Sequence, residues 1–235
     1  RVNLLYPTIS MKIRNQFTLF YALLAIFEIV AEIYHFLPGI YIAKPLLMIS
    51  LGIFAFTQFK GKIRSNQNLY LAGAFFACLG DVFLMLKGAN LFLPGLGSFL
   101  IMQWFYIVLF AKDVSKPILS LQSISRFIPY LLFAAGLLWL LFPAVSHDAI
   151  LTSAISIYAL SIATMGWMSS LRYKNVNASS FIYVLLGAIL FITSDALIAI
   201  GKFLTPIAHS ALLIMSTYAL AQFLIMMGLL KSSDR

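Results

Sequence analysis

An all-α, polytopic transmembrane bundle of eight helices is the fold this sequence predicts, and three observations predict it. The 235 residues are 62% hydrophobic and only 10% charged, with a mean hydropathy of +0.98, more apolar surface than a soluble domain can bury. The apolar residues fall into eight runs of about the 20 residues a helix needs to cross a bilayer. The charges collect in the short connections between those runs. A net charge of +9 spread over short loops is a topology signal, so no nucleic-acid partner is expected.

The first run, 17–37, follows Met11-Lys12-Ile13-Arg14, which reads as a natural start. Residues 1–16 are therefore expected to be an N-terminal cytoplasmic extension. This run is too long for the core of a signal peptide and shows no small-residue cleavage site, so it should stay as a helix. The second run, 40–59, follows the punctuation of Pro38-Gly39, and the third spans 69–86. The fourth, 91–111, has Pro94-Gly95 at its outer turn, and the fifth, 127–145, meets its outer turn at Pro143. The sixth and seventh span 150–171 and 181–200. The eighth, 203–230, would hold Pro206 in its first turn, where a missing N–H does no harm. Residues 17–230 thus read as one transmembrane domain and 231–235 as a C-terminal cytoplasmic tail.

Loop charge gives the orientation. Arg1, Lys12, Arg14, Lys60, Lys62, Arg64, Lys112, Lys116, Arg126, Arg172, Lys174, Lys231 and Arg235 fall on one side, against Lys44, Lys87 and Lys202 on the other. The positive-inside rule then puts both termini in the cytoplasm of a multi-pass protein of the cell membrane. Tyr34, Tyr41 and Trp139 fall at the outer interface, and Tyr70, Tyr173 and Tyr183 at the inner one. Gly80-Asp81-Val82-Phe83-Leu84 is echoed by Ser194-Asp195-Ala196-Leu197-Ile198 four helices later. Two parallel four-helix halves are one origin for that echo.

Four of the seven acidic residues, Glu28, Glu32, Asp81 and Asp195, lie within apolar runs. A charge at mid-bilayer costs roughly 2.5–3.5 kcal/mol on insertion scales, so such groups face a bundle interior and mark chemistry or a transport path. Glu28, Glu32 and His35 stand at i, i+4 and i+7, one face of the first helix. Asp81 and Asp195 are expected roughly 8–9 Å below the outer ends of their helices. Glu32 should share that depth, with Lys44 close by at a helix start set by Pro45.

Plainer readings exist for each residue. Either Asp would serve as a hydrogen-bonding link between helices. Glu28 reads as a lipid-facing snorkeler or a partner of His35. Lys44 is a snorkeler, a counter-ion, or a grip for a phosphate. The small residues Ala74, Ala77 and Cys78 precede Asp81 on its own face, which argues for close packing and an inward Asp81. Cys78 itself reads as a packing residue. Gln103 and Tyr106 in helix four, and Tyr218 and Gln222 in helix eight, are either bundle glue or substrate-orienting groups. Ser153, Ser156 and Thr164 are expected to bond carbonyls of their own helix.

The sequence holds no Gly-x-Ser-x-Gly elbow, phosphate-cradling glycine loop or His-Glu-x-x-His pair. His35, His147 and His209 show no ligand spacing, so no metal or other cofactor is expected.

A wider pattern joins these residues: Lys44-Pro45-Leu46, Leu79-Gly80-Asp81, Phe99 through Tyr106, Ser194-Asp195, and Tyr218-x-x-Ala221-Gln222. In order and spacing it resembles the YhhN-like lysoplasmalogenase family of eight-helix membrane proteins, from Glu32 to Gln222. One departure is Gln103, where many members carry His. The resemblance implies hydrolysis of the vinyl ether bond of a lysoplasmalogen, with water, to a fatty aldehyde and a glycerophospho-ethanolamine or -choline. The residues suit that chemistry. Protonation of the β-carbon needs a carboxylic acid, and the oxocarbenium ion that forms is stabilised by a second carboxylate, as in glycosidases. Asp81 and Asp195 are the candidates for those roles. Lys44, Glu32, Gln103, Tyr106, Ser194, Tyr218 and Gln222 are candidates for binding or orienting the lysophospholipid. A proton-coupled small-molecule transporter and a metal-dependent intramembrane lipid hydrolase are the competing readings. The first would need midplane sites and broken helices, the second a histidine–carboxylate cluster.

Overall fold

The computed structural model describes residues 11–58, 64–86, 91–115 and 117–232. Expectations resting on residues 1–10, Lys60, Lys62, Lys87, Lys116 and Arg235 lie outside that set. The described residues form eight helices: α1 (Met11–Ile33), α2 (Leu37–Gln58), α3 (Arg64–Met85), α4 (Phe92–Lys112), α5 (Leu121–Val145), α6 (Ala149–Leu171), α7 (Ala178–Phe203) and α8 (Ser210–Ser232). Each is long and apolar enough to span a membrane, and the described residues form no strand.

Several ends differ from expectation, for local reasons. The first helix already covers Met11, ahead of the apolar run, because polar residues such as Lys12 and Arg14 end a hydrophobic run without ending a helix. The fifth begins at Leu121, where the Ser120 side chain accepts from Ser123 N at 3.2 Å. Pro38 and Gly39 lie in the first turn of α2, Pro94 and Gly95 in that of α4, and Pro143 inside α5. Pro206 lies in the α7–α8 connection, because α7 continues to Phe203 and His209, at φ 55, turns the chain into α8.

Seven helices close into a ring in the order α1, α2, α3, α4, α6, α7, α8, with α8 returning to α1. The Tyr21 hydroxyl donates to the Ala219 carbonyl at 3.0 Å across that closure. The fifth helix stands outside the ring, packed on α6 with a lesser contact to α7. The most extensive pairings are α3–α4 and α7–α8. Close approach of α7 and α8 depends on glycine. A Cβ on Gly187 would meet Ile225 Cγ1 at 2.7 Å and Ala221 O at 2.9 Å, and one on Gly228 would meet Val184 Cγ2 at 2.6 Å and Ser180 O at 3.0 Å.

Two residues assigned to the inner interface belong to the core. Tyr70 is fully buried and stacks on Tyr106 with ring centroids 6.3 Å apart. Arg172, counted as a loop charge, is 0% exposed. Its Nη2 lies 2.8 Å from Asp113 Oδ2 and 2.9 Å from Ser180 Oγ. The Ser180 hydroxyl donates onward to Gly228 O at 2.6 Å, and Ser232 Oγ to Asp113 Oδ1 at 3.0 Å. The ends of α4, α6, α7 and α8 are therefore tied through one guanidinium. Burial lowers its pKa from the ordinary arginine value, and Asp113 opposes the shift.

Gly187→Val and Gly228→Val are each expected to destabilise by about 1–3 kcal/mol through overpacking against backbone. Thermal unfolding of the detergent-solubilised protein checks this: Tm should fall for both, and an unchanged Tm would refute the close α7–α8 contact.

Candidate functional site

Glu28 and Glu32 sit one turn apart on α1, and both face Lys44 of α2. Lys44 Nζ donates to Glu32 Oε1 at 2.6 Å and lies 3.4 Å from Glu28 Oε1. Glu28 is 0% exposed, which corrects the snorkeling and His35 readings alike. His35 is exposed at φ 54, beyond the end of α1, so it leaves the face that the glutamates share. The expected helix start at Lys44-Pro45 is also corrected. Both lie within α2, Lys44 about 10 Å along it at 1.5 Å per residue. Proline at 45 removes the N–H that would bond the Tyr41 carbonyl, and the Cys78 thiol lies 3.7 Å from Pro45 O.

Asp81 comes from α3, whose small residues Ala74 and Ala77 are buried on the same side. The preceding Gly80 admits the Phe99 ring, which a Cβ would meet at 2.6 Å. Phe99 in turn lies edge-on to Tyr218, centroids 6.0 Å apart. The Tyr218 hydroxyl donates to Asp81 Oδ2 at 2.7 Å. Asp195 of α7 has an equivalent partner on α6, the Tyr158 hydroxyl, which donates to its Oδ2. Each aspartate is thus held by a tyrosine from a different helix. Asp81 lies about 6 Å from the end of α3 and Asp195 about 12 Å from the end of α7 at 1.5 Å per residue.

Inside the ring is a cavity of about 320 Å³ that reaches Glu32, Lys44, Asp81, Ser194, Asp195, Lys202 and Tyr218. Leu84, Phe92, Phe99 and Ile198 form part of its wall and also border a second, narrower space of about 70 Å³. Asp195 faces both. Tyr158 and apolar side chains of α5, α6 and α7 line the narrower space. The pair of cavities changes from charged to hydrocarbon-like at Asp195.

Three expected orienting residues lie away from the cavity lining. The Tyr106 hydroxyl donates to Gln222 Oε1 at 2.7 Å, and Gln222 Nε2 lies 3.3 Å from Met102 Sδ. Gln103 is buried beside Tyr158, and its amide makes no hydrogen bond of standard geometry. Ser194 lines the cavity, with its hydroxyl bonded to Ile214 O at 3.1 Å. Ser156 and Thr164 bond carbonyls four residues back, both at 2.7 Å, as expected.

Two cavity residues escape a reading of the sequence. Tyr158 lies deep in an apolar run, and the signal for it was the phenol itself, since a buried tyrosine hydroxyl finds a partner. Lys202 resembles an ordinary interfacial charge, yet it borders the cavity with Nζ 4.5 Å from the Phe92 ring centroid. His147 and His209 are exposed, and among the described residues no three His, Cys, Asp or Glu side chains gather in metal-binding geometry.

Replacing Lys44 by Met would leave Glu28 buried without its counter-charge, a loss of about 3–5 kcal/mol for a broken buried ion pair. The Lys44→Met, Glu28→Leu double variant should recover part of it. Melting curves of the two proteins in detergent decide the matter, and equal Tm values would show that Glu28 does not depend on Lys44.

Comparison with known proteins adds a lineage to this geometry. The YhhN family model matches residues 39–229. Human lysoplasmalogenase TMEM86A is 33% identical over 174 residues, covering 69% of this chain and 65% of that protein. The bovine TMEM86A protein is 29% identical over 166 residues, covering 69% and 65%. Pig lysoplasmalogenase TMEM86B is 32% identical over 156 residues, covering 66% and 61%. The chain therefore spans about 61–65% of the length of these relatives. No solved structure matches it.

Proposed function

The chain belongs to the YhhN family, and we propose that it hydrolyses the vinyl ether bond of lysoplasmalogens within the membrane. The observation that carries this reading is the pair of tyrosine-held carboxyl groups on a cavity that turns from polar to apolar at one of them. A lysoplasmalogen changes character at the same point along its length, from glycerophosphate through the ether oxygen and the two vinyl carbons to hydrocarbon. Lys44 and Lys202 suit its phosphate, and the relatives named lysoplasmalogenase share the reading.

The direction of the ligand assigns the acid. With the head group toward Lys44 and Lys202, the β-carbon lies on the hydrocarbon side, next to Asp195. Asp195 gives its proton to that carbon, and the C=C pair forms the new C–H bond, leaving an oxocarbenium ion shared with the ether oxygen. Asp81, as carboxylate, stabilises the cation and takes a proton from the attacking water. The hemiacetal then passes its hydroxyl proton to Asp195 while Asp81 protonates the departing glycerol oxygen. Aldehyde and glycerophospho-alcohol leave, and both carboxyl groups regain their starting states. Tyr158 and Tyr218 keep the two groups oriented. Under the loop-charge orientation both termini are cytoplasmic, and the cavity opens toward the outer leaflet of the cell membrane.

Asp81→Asn and Asp195→Asn are each expected to lower aldehyde release on the order of 10²–10⁴-fold, the usual contribution of general acid–base catalysis, while Tm stays near that of the unaltered protein. Purified protein assayed on a lysoplasmalogen beside its ester and alkyl-ether analogues is the test. Substantial activity in either variant would limit that aspartate to a structural part, and uptake into proteoliposomes without aldehyde release would favour a transporter. Proton transfer to carbon also predicts a solvent deuterium effect well above unity when chemistry is the slow step. Dialysis against a strong chelator should leave the rate unchanged, and loss restored by zinc would favour a metal hydrolase.

A further inference from the structure

Behind Asp195 the narrow space does not end at the ring. An open groove of about 330 Å³ between α5, α6 and α7 adjoins it, with Phe133, Ala134, Ile162 and Ile192 bordering both. Along α5 the combined lining runs from Leu141 to Pro129, about 18 Å of helix at 1.5 Å per residue. The one hydroxyl of the groove's α7 wall, Thr193, is satisfied by its own helix at Ile189 O, 2.9 Å away. Nothing polar therefore interrupts that wall. The covering helix is also the one that stands outside the ring, with only a lesser contact to α7 and with Pro129 and Pro143 inside it. Prolines within a helix weaken its backbone ladder and let it bend.

We infer that the α5–α7 seam is the lateral entrance and binding groove for the hydrocarbon chain of a single-chain phospholipid whose head group occupies the Lys44–Lys202 cavity. The identity of that lipid rests on the hydrolase reading; the groove rests on the four side chains it shares with the space beside Asp195. A lipid entering from the membrane through this seam keeps its chain in apolar surroundings throughout. Entry through the charged mouth would drag the same chain past Lys202 and Glu32 and expose it to water.

The test uses the full-length protein in liposomes and a non-hydrolysable alkyl-ether lysophospholipid with a photoreactive group at the chain end. Mass spectrometry should find the label on α5 around Pro129–Phe133 and on α7 around Ile189–Thr193. Excess unlabelled lysophospholipid should suppress it, and excess diacyl phospholipid should not. Label concentrated on α1 or α8, or equal suppression by the diacyl lipid, overturns the proposal. A second measurement fills the groove from its lipid-exposed side with Ile189→Trp and Thr193→Trp. The ratio of kcat/KM for long-chain over short-chain lysoplasmalogen should fall about tenfold, a modest step for a hydrophobic pocket, with short-chain turnover reporting intact folding. An unchanged ratio in both variants counts against the groove. Labelling in the seam without aldehyde release from any chain length would sink the hydrolase reading and leave the groove standing.

Discussion

An acidic side chain in hydrocarbon must find a partner, and no partner within reach lies on its own helix here. Glu28 and Glu32 of α1 meet Lys44 of α2, Asp81 of α3 meets Tyr218 of α8, and Asp195 of α7 meets Tyr158 of α6. At the other end of the bundle, Asp113 meets Arg172. These links run across the ring's seams or its interior and fix helices that lipid-like apolar contacts alone would leave free to slide, since lipid tails compete equally for such surfaces. The two ends differ in kind. The Arg172 end closes with a guanidinium whose donors meet Asp113 and Ser180, whereas at the Lys44 end one ammonium faces two glutamates and two more carboxyl groups share its cavity. An excess of acid over base inside a membrane has little structural merit. It is the arrangement that proton-transfer chemistry requires.

The ring and its outlying helix divide the labour. Glycine contacts at Gly187 and Gly228 bring α7 and α8 together at backbone distance, which holds Asp195 on a rigid wall. Gly80 does the same locally, seating Phe99 against α3 so that its edge meets Tyr218, the residue that holds Asp81. Rigid placement of reacting groups is what a site for paired carboxyl chemistry needs. By contrast α5 has few buried side chains and two internal prolines, and it covers the stretch of apolar space that leads away from Asp195.

Much of this was legible in the sequence because membranes impose simple length and polarity rules. Eight apolar runs gave eight helices, and the small residues before Asp81 gave its inward direction. What stayed hidden were choices made by the tertiary arrangement. Glu28 pairs with Lys44 because α2 continues a full two turns before that lysine, and Pro45 looked like a helix start because proline usually is one. Tyr70 and Arg172 were read as interfacial because their neighbours in sequence are polar, but α4 lies against them and buries both. Tyr158 carries no motif at all, and only the helix order that sets α6 beside α7 reveals its aspartate.

The unlike surroundings of the two aspartates bear on the proposed chemistry. Had Asp81 and Asp195 bordered the same lining, a ligand held between them would present either carbon of a vinyl ether to either acid. Asp195 alone borders the apolar space, which removes that symmetry. A bound amphiphile feels the gradient along its whole length: charge favours the Lys44–Lys202 side, and the hydrophobic effect favours the groove. Those two forces act at opposite ends of the molecule and fix which of its atoms faces which carboxyl group. On this account selectivity for the bond is a matter of register. The ether oxygen must fall where the lining changes character, and the distance from phosphate to vinyl carbon becomes the quantity that the Lys202-to-Asp195 stretch of α7 measures.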